Sequence, residues 1–157
     1  MPAVESFELD HTAVSAPYIR HCGSKAVGSD GTVTKYDVRF CQPNRGALQP
    51  ATIHTLEHLL ALNVRECLPP DADFDVIDLS PMGCQTGFYL IIAGAPPLSQ
   101  IIELLRQAAK LGLQATEVPA ANEIQCGQAA LQDLPDAHKW LAYWVEQPDS
   151  VLEQVFA

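Results

Sequence analysis

The chain has 157 residues, 48% hydrophobic and 18% charged, which fits a single domain of residues 1–157 with one core and excludes the highly charged, apolar-poor signature of a disordered chain. Nine basic against nineteen acidic residues leave a net charge of −10, which opposes docking on nucleic acid or on an anionic membrane surface. A small neutral or zwitterionic ligand feels the local pocket instead, so such a substrate is compatible with this balance.

In chain order, the N-terminal residues include Glu5, Glu8 and Asp10 and lack the cationic start and apolar stretch of a secretory signal. The longest apolar stretch, 88–98, is about half the ~20 residues a membrane-crossing helix needs. A cytoplasmic location without membrane contact is therefore expected.

Residues 32–41 are rich in β-branched and aromatic side chains (Val33, Tyr36, Val38, Phe40), follow the turn Gly28, Ser29, Asp30, Gly31, and predict a strand. From 50 to 67, Ile53, Leu56, Leu59, Leu60, Val64 and Cys67 recur at three- and four-residue steps and predict a helix, with Thr52 as its N-cap and Pro69 beyond its end. Strands are expected over 74–79 and 85–93, separated by the turn Ser80, Pro81, Met82, Gly83. Helical spacing returns over 98–111, with Gly112 as the stop, and again over 136–145 and 150–156. Strands and helices mix without regular alternation, so the expected fold class is α+β, an antiparallel or mixed sheet packed against helices.

Five cysteines, odd in number and widely spaced, argue against a disulfide framework. Cys22, Cys41 and Cys67 read as packing residues, and Trp140, Tyr143 and Trp144 as a helical stripe for core or subunit interface.

The chemistry concentrates in His54-Thr55-Leu56-Glu57-His58. Histidines four apart on a helix lie about 40° apart around its axis, so both reach one metal ion. Glu57 can sit beside that ion without ligating it, the place of a general base. A third ligand has to come from elsewhere in the chain, and Cys126, in the polar stretch Asn122 to Gln128, is the best candidate. Cys84 lies between Gly83 and Gly87, where the backbone has freedom and a substrate can approach closely, the setting of a reactive, proton-shuttling thiol. No glycine-rich phosphate loop occurs, which leaves metal and side chains to do the chemistry without an organic cofactor. Two other readings of the same residues stay open here: a metallopeptidase of the inverted His-x-x-Glu-His type, and a structural metal module without turnover.

His54-Thr-Leu-Glu57-His58, Pro81-Met-Gly-Cys84-Gln-Thr-Gly, Phe40-Cys-Gln-Pro-Asn44, Ser6-Phe-Glu-Leu-Asp-His11 and Gln125-Cys126-Gly, in this order and spacing, resemble S-ribosylhomocysteine lyase, the LuxS family. The resemblance covers nearly the whole chain. It implies an α+β homodimer with two active sites at the subunit interface, each holding iron(II) that zinc or cobalt can replace. In the matching positions His54, His58 and Cys126 are metal ligands, and Cys84 and Glu57 the acid/base pair. Ser6, His11 and Arg39 match positions contacting the sugar of S-ribosylhomocysteine, and Asp78 one near its homocysteine part. Gln85 stands where some family members have arginine.

Overall fold

The computed structural model describes residues 3–157. A hairpin opens the sheet: β1 (Tyr18–Val27) turns through Gly28, whose φ of 64° favours glycine, and returns antiparallel as β2 (Gly31–Arg39). β2 pairs with β4 (Gly87–Ala93), which pairs with β3 (Asp75–Pro81), so the sheet has the order β1-β2-β4-β3 and every pairing is antiparallel. The strands expected over 32–41, 74–79 and 85–93 are thus present with slightly shifted ends. β1 has no counterpart among the expected strands. It is a polar edge strand, largely exposed beyond Arg20, with a bulge between His21 and Gly23 that breaks the period-two pattern.

One face of the sheet packs on helices. Ile19, Tyr36, Val38, Phe88, Leu90, Ile92 and Leu79 join Leu56, Leu59 and Leu60 of α2 (Pro50–Glu66), Ile101 and Leu105 of α3 (Leu98–Gly112), and Leu141 and Trp144 of α4 (Leu134–Val145) in one core. By alternation, Asp37, Arg39, Tyr89 and Ile91 point to the opposite face. The short α1 (Glu5–Glu8) is tied to the sheet by Glu5, which pairs with Arg20 and, at 3.2 Å, with Lys35. The result is α+β with an antiparallel sheet.

Three local expectations change. Pro50 starts α2 with Gln49 at the cap position, and Thr52 lies inside the first turn, where its hydroxyl donates to Asp136 Oδ2 at 2.7 Å and so joins α2 to α4. Gly112 is the last residue of α3 and does not take a left-handed stop conformation; a Cβ there would meet Leu141 Cδ1 at 2.8 Å, so it is small because α4 packs close by. The last helix, α5 (Asp149–Leu152), is a single turn, because beyond it the chain runs extended to bridge Phe156 with Val14, Ser15 N–H donating to Val155 O at 2.8 Å.

Of the aromatic stripe, Trp144 is buried and stacks on Phe40 with ring centroids 5.8 Å apart, Trp140 is half-buried and Tyr143 exposed. All five cysteines are free. Burial pushes the Cys22 thiol up to about 12 and that of Cys41 up to about 11, in keeping with packing roles. No helix among the described residues is long and apolar enough to cross a membrane.

Candidate metal centre

α2 buries Ile53, Leu56, Leu59 and Leu60 and leaves His54, Glu57, His58, Ala61 and Leu62 lining an open pocket. The apolar stripe therefore aims the histidines outward. The opposite wall is the loop following α3. Its Asn122 side chain accepts from the N–H groups of Ile124 and Gln125, each at 3.1 Å, and its carbonyl accepts from Cys126 N–H at 2.9 Å. This asparagine turn presents the Cys126 thiol to α2. A positioning role for Asn122 is absent from the sequence reading, although asparagine's habit of capping its own turn is the signal that carries it.

The donor atoms of His54, His58 and Cys126 all lie within 4.8 Å of one another. His54 Nδ1 donates to Leu131 O at 2.8 Å and His58 Nδ1 to Pro119 O at 2.7 Å. With the ring protons on those nitrogens, both Nε2 lone pairs point into the pocket, 3.1 Å apart. Two acceptors at that separation need a shared proton or a metal ion between them, and Cys126 Sγ, 3.4 Å from His54 Nε2, completes a three-donor set. Two imidazoles and a thiolate suit several divalent first-row ions. Both histidines have the outer-nitrogen hydrogen bond to a carbonyl that orients metal-binding imidazoles. Glu57 Oε2 is 3.9 Å from His58 Nε2, beside the set and not in it. Cysteine, not the carboxylate of an inverted-zincin site, supplies the third donor.

Cys84 is exposed on the turn between β3 and β4 and lines a different pocket with His11, Arg39, Pro43, Asn44, Gly46 and Thr86. The turn depends on Gln85, whose φ is 59° and whose carbonyl accepts from Leu48 N–H at 2.8 Å. Arg39 Nη1 donates to Thr86 Oγ1 at 2.7 Å and lies 3.9 Å from Cys84 Sγ. Burial opposes the charge on Arg39, but the hydrogen bonds and charge of Asp37 outweigh it and hold the guanidinium firmly protonated. His11 Nδ1 contacts Leu9 O at 2.8 Å.

Within one chain the two groups stay apart: His54, Glu57, His58 and Cys126 line one pocket, His11, Arg39 and Cys84 the other, with no lining residue in common. Ser6, on α1, and Asp78, exposed on β3 with its carboxylate accepting from Ser80 Oγ, line neither.

An α+β fold that turns two imidazoles, a thiol and a neighbouring carboxylate into one open pocket defines a metal-binding enzyme scaffold with room for a substrate. The chain belongs to the S-ribosylhomocysteinase (LuxS) family, whose model matches residues 4–155. It is accordingly a lyase acting on a small molecule, S-ribosylhomocysteine.

Proposed function

We propose that the chain acts as one catalytic domain in a cytoplasmic homodimer and cleaves the thioether of S-ribosylhomocysteine. The products are homocysteine and 4,5-dihydroxy-2,3-pentanedione, precursor of the autoinducer-2 signal. The observation that carries this reading is the convergence of His54 Nε2, His58 Nε2 and Cys126 Sγ beside Glu57 in a chain of this family.

His54, His58 and Cys126 would hold a divalent ion, iron(II) by resemblance, with zinc or cobalt as substitutes. Bound there, the ion supplies Lewis acidity to the carbonyl and hydroxyl oxygens of the open-chain sugar, which acidifies the adjoining C–H bonds. Cys84, as thiolate, takes a proton from carbon and returns it one carbon along, while Glu57 moves the hydroxyl protons. Two such transfers carry the carbonyl from C1 to C2 and then to C3. The sulfur on C5 is then β to that carbonyl. Removal of the C4 proton forms the C4–C5 double bond as the C5–S pair leaves with sulfur, a proton completes homocysteine, and the C4 enol left behind takes a proton at C5 and releases its hydroxyl proton to give the dione. Ser6, His11 and Arg39 are assigned to the sugar and Asp78 to the homocysteine part.

Cys84 and the histidines of one chain line separate pockets, and dimerisation offers a way to unite them, with the Cys84 pocket of one subunit closing over the histidine pocket of the other. Exposed Leu62, Ile77 and Ile124 supply apolar area for such an interface.

The test is purification without oxygen, quantification of bound metal, and measurement of free thiol released from S-ribosylhomocysteine before and after chelation. Stoichiometric metal and chelator-sensitive thiol release are expected. Full metal without thiol release would instead favour a structural metal module.

A further inference from the structure

Arginine carries five N–H donors in a rigid planar fork, and the Arg39 fork is aimed from one side. Its Nε donates to Asp37 Oδ1 at 3.0 Å and its Nη2 to Asp37 Oδ2 at 2.6 Å. Only Nη1 remains to face the turn, where it meets Thr86 Oγ1 and Cys84 Sγ. Both partners are sealed from solvent, Asp37 at 0% and Arg39 at 2% exposure. Asp37 is itself held: Tyr18 Oη donates to Oδ2 at 3.3 Å, and Arg20 Nη2 lies 3.6 Å away. Asp37 and Arg39 are two apart on β2, so both side chains rise from the same face, and the carboxylate reaches along the strand to grip the guanidinium.

We infer that Asp37 is a positioning residue for Cys84: its two oxygens fix the plane of Arg39 so that one N–H is presented to the sulfur and to Thr86. A donor aimed at sulfur stabilises the thiolate, the form that attacks electrophiles and accepts protons. Asp37 touches neither Cys84 nor its pocket and works through Arg39 alone. The link to turnover rests on the proposed role of Cys84 as proton carrier; the link to thiol reactivity does not.

A purely structural Asp37 would neutralise the buried guanidinium and nothing more. Glutamate at this position keeps the charge but carries the two oxygens one methylene further, so neutralisation survives and aim is lost. The experiment compares Asp37→Glu, Asp37→Asn, Arg39→Lys and the double variant Asp37→Glu/Arg39→Lys, all as metal-loaded protein. Alkylation of Cys84 by iodoacetamide is timed by peptide mapping, alongside kcat and KM for S-ribosylhomocysteine, metal content and melting temperature. Asp37→Glu is expected to slow alkylation about tenfold and to lower kcat, with metal content nearly unchanged. On the Arg39→Lys background, where the fork is already gone, it should add less than about twofold. Normal alkylation in Asp37→Glu, or the same loss on both backgrounds, overturns the inference. If Asp37→Asn fails to fold, the charge-retaining Glu variant still decides. Slowed alkylation in a protein that never releases thiol from S-ribosylhomocysteine would sink the lyase reading and leave the positioning role standing.

Discussion

His54 and His58 meet through their Nε2 atoms at 3.1 Å while their Nδ1 atoms each donate to a backbone carbonyl, of Leu131 and Pro119. The two carbonyls belong to the same loop region that delivers Cys126, so one stretch of chain both orients the imidazoles and brings the thiol. The helix supplies spacing and the loop supplies tautomer.

Removing any of the three donors should therefore empty the site. His58→Ala and Cys126→Ala are expected to be purified with less than about a tenth of the parent's metal, since structural and catalytic sites of this type depend on every ligand. Both should lose thiol release while keeping the parent's circular dichroism. Metal analysis of the purified variants checks this, and full retention of metal in Cys126→Ala would point to a carboxylate as third ligand.

The separation of Cys84 from the histidines within one chain makes subunit complementation decisive. Cys84→Ala should keep its metal and be inactive, and His58→Ala should be inactive for want of metal. If the proposed dimer shares its sites, unfolding the two variants together and refolding them with metal gives mixed dimers in which one site has intact histidines from one subunit and intact Cys84 from the other. Random pairing then restores about a quarter of parental activity. No recovery on mixing, with mixed dimers demonstrated, would mean that each site is assembled from a single chain.

Glu57 is partly exposed and bears on the pocket without serving as a donor. Glu57→Gln keeps shape and removes the basic carboxylate, so a loss of about 10²- to 10⁴-fold in kcat is expected with metal content intact. A rate within about threefold of the parent would remove Glu57 from the proton-transfer path.

Much of this is readable because periodicity survives in the elements that bury one face. The stripe Ile53, Leu56, Leu59, Leu60 marks α2, and the same 3.6-residue period puts His54 and His58 side by side on the opposite face. β1 is hidden in the sequence because beyond Arg20 this edge strand is largely exposed and needs no alternation, and its bulge removes what remains. Cys126 is recognisable only as a cysteine in polar company; that it meets His54 is set by the asparagine turn at Asn122 and the docking of its loop on α2, which are tertiary facts. Asp37 is silent for a similar reason, since a polar residue two before an arginine on a strand looks like an ordinary hydrophilic face until both are seen to be buried.

Trp144 joins α4 to the sheet by stacking on Phe40 in the centre of the core. Trp144→Ala should cost about 3–5 kcal/mol of unfolding free energy, measurable as a lowered urea midpoint. Tyr143→Ala, one residue away but exposed, should stay within about 0.5 kcal/mol of the parent.

The attachment of α1, and with it Ser6, should depend on pH through Glu5. Partial burial alone would raise the Glu5 carboxyl, but hydrogen bonds and charge from Arg20 and Lys35 outweigh it and hold the carboxyl below its ordinary 4.5. A depressed carboxyl contributes stability that is fully present above the ordinary value and is lost as pH falls through the depressed one. Amide exchange of Phe7, whose N–H donates to Val4 O at 2.8 Å, should thus be slowed at neutral pH and accelerate, relative to the core strands, once the solution is taken below 4.5. Glu5→Gln removes the charge at every pH, so its α1 should already exchange fast at neutral pH and show no further acid-induced step. If the parent and Glu5→Gln exchange alike at neutral pH, the helix is held by something other than this pair of ion bridges, and Ser6 owes its place to another contact.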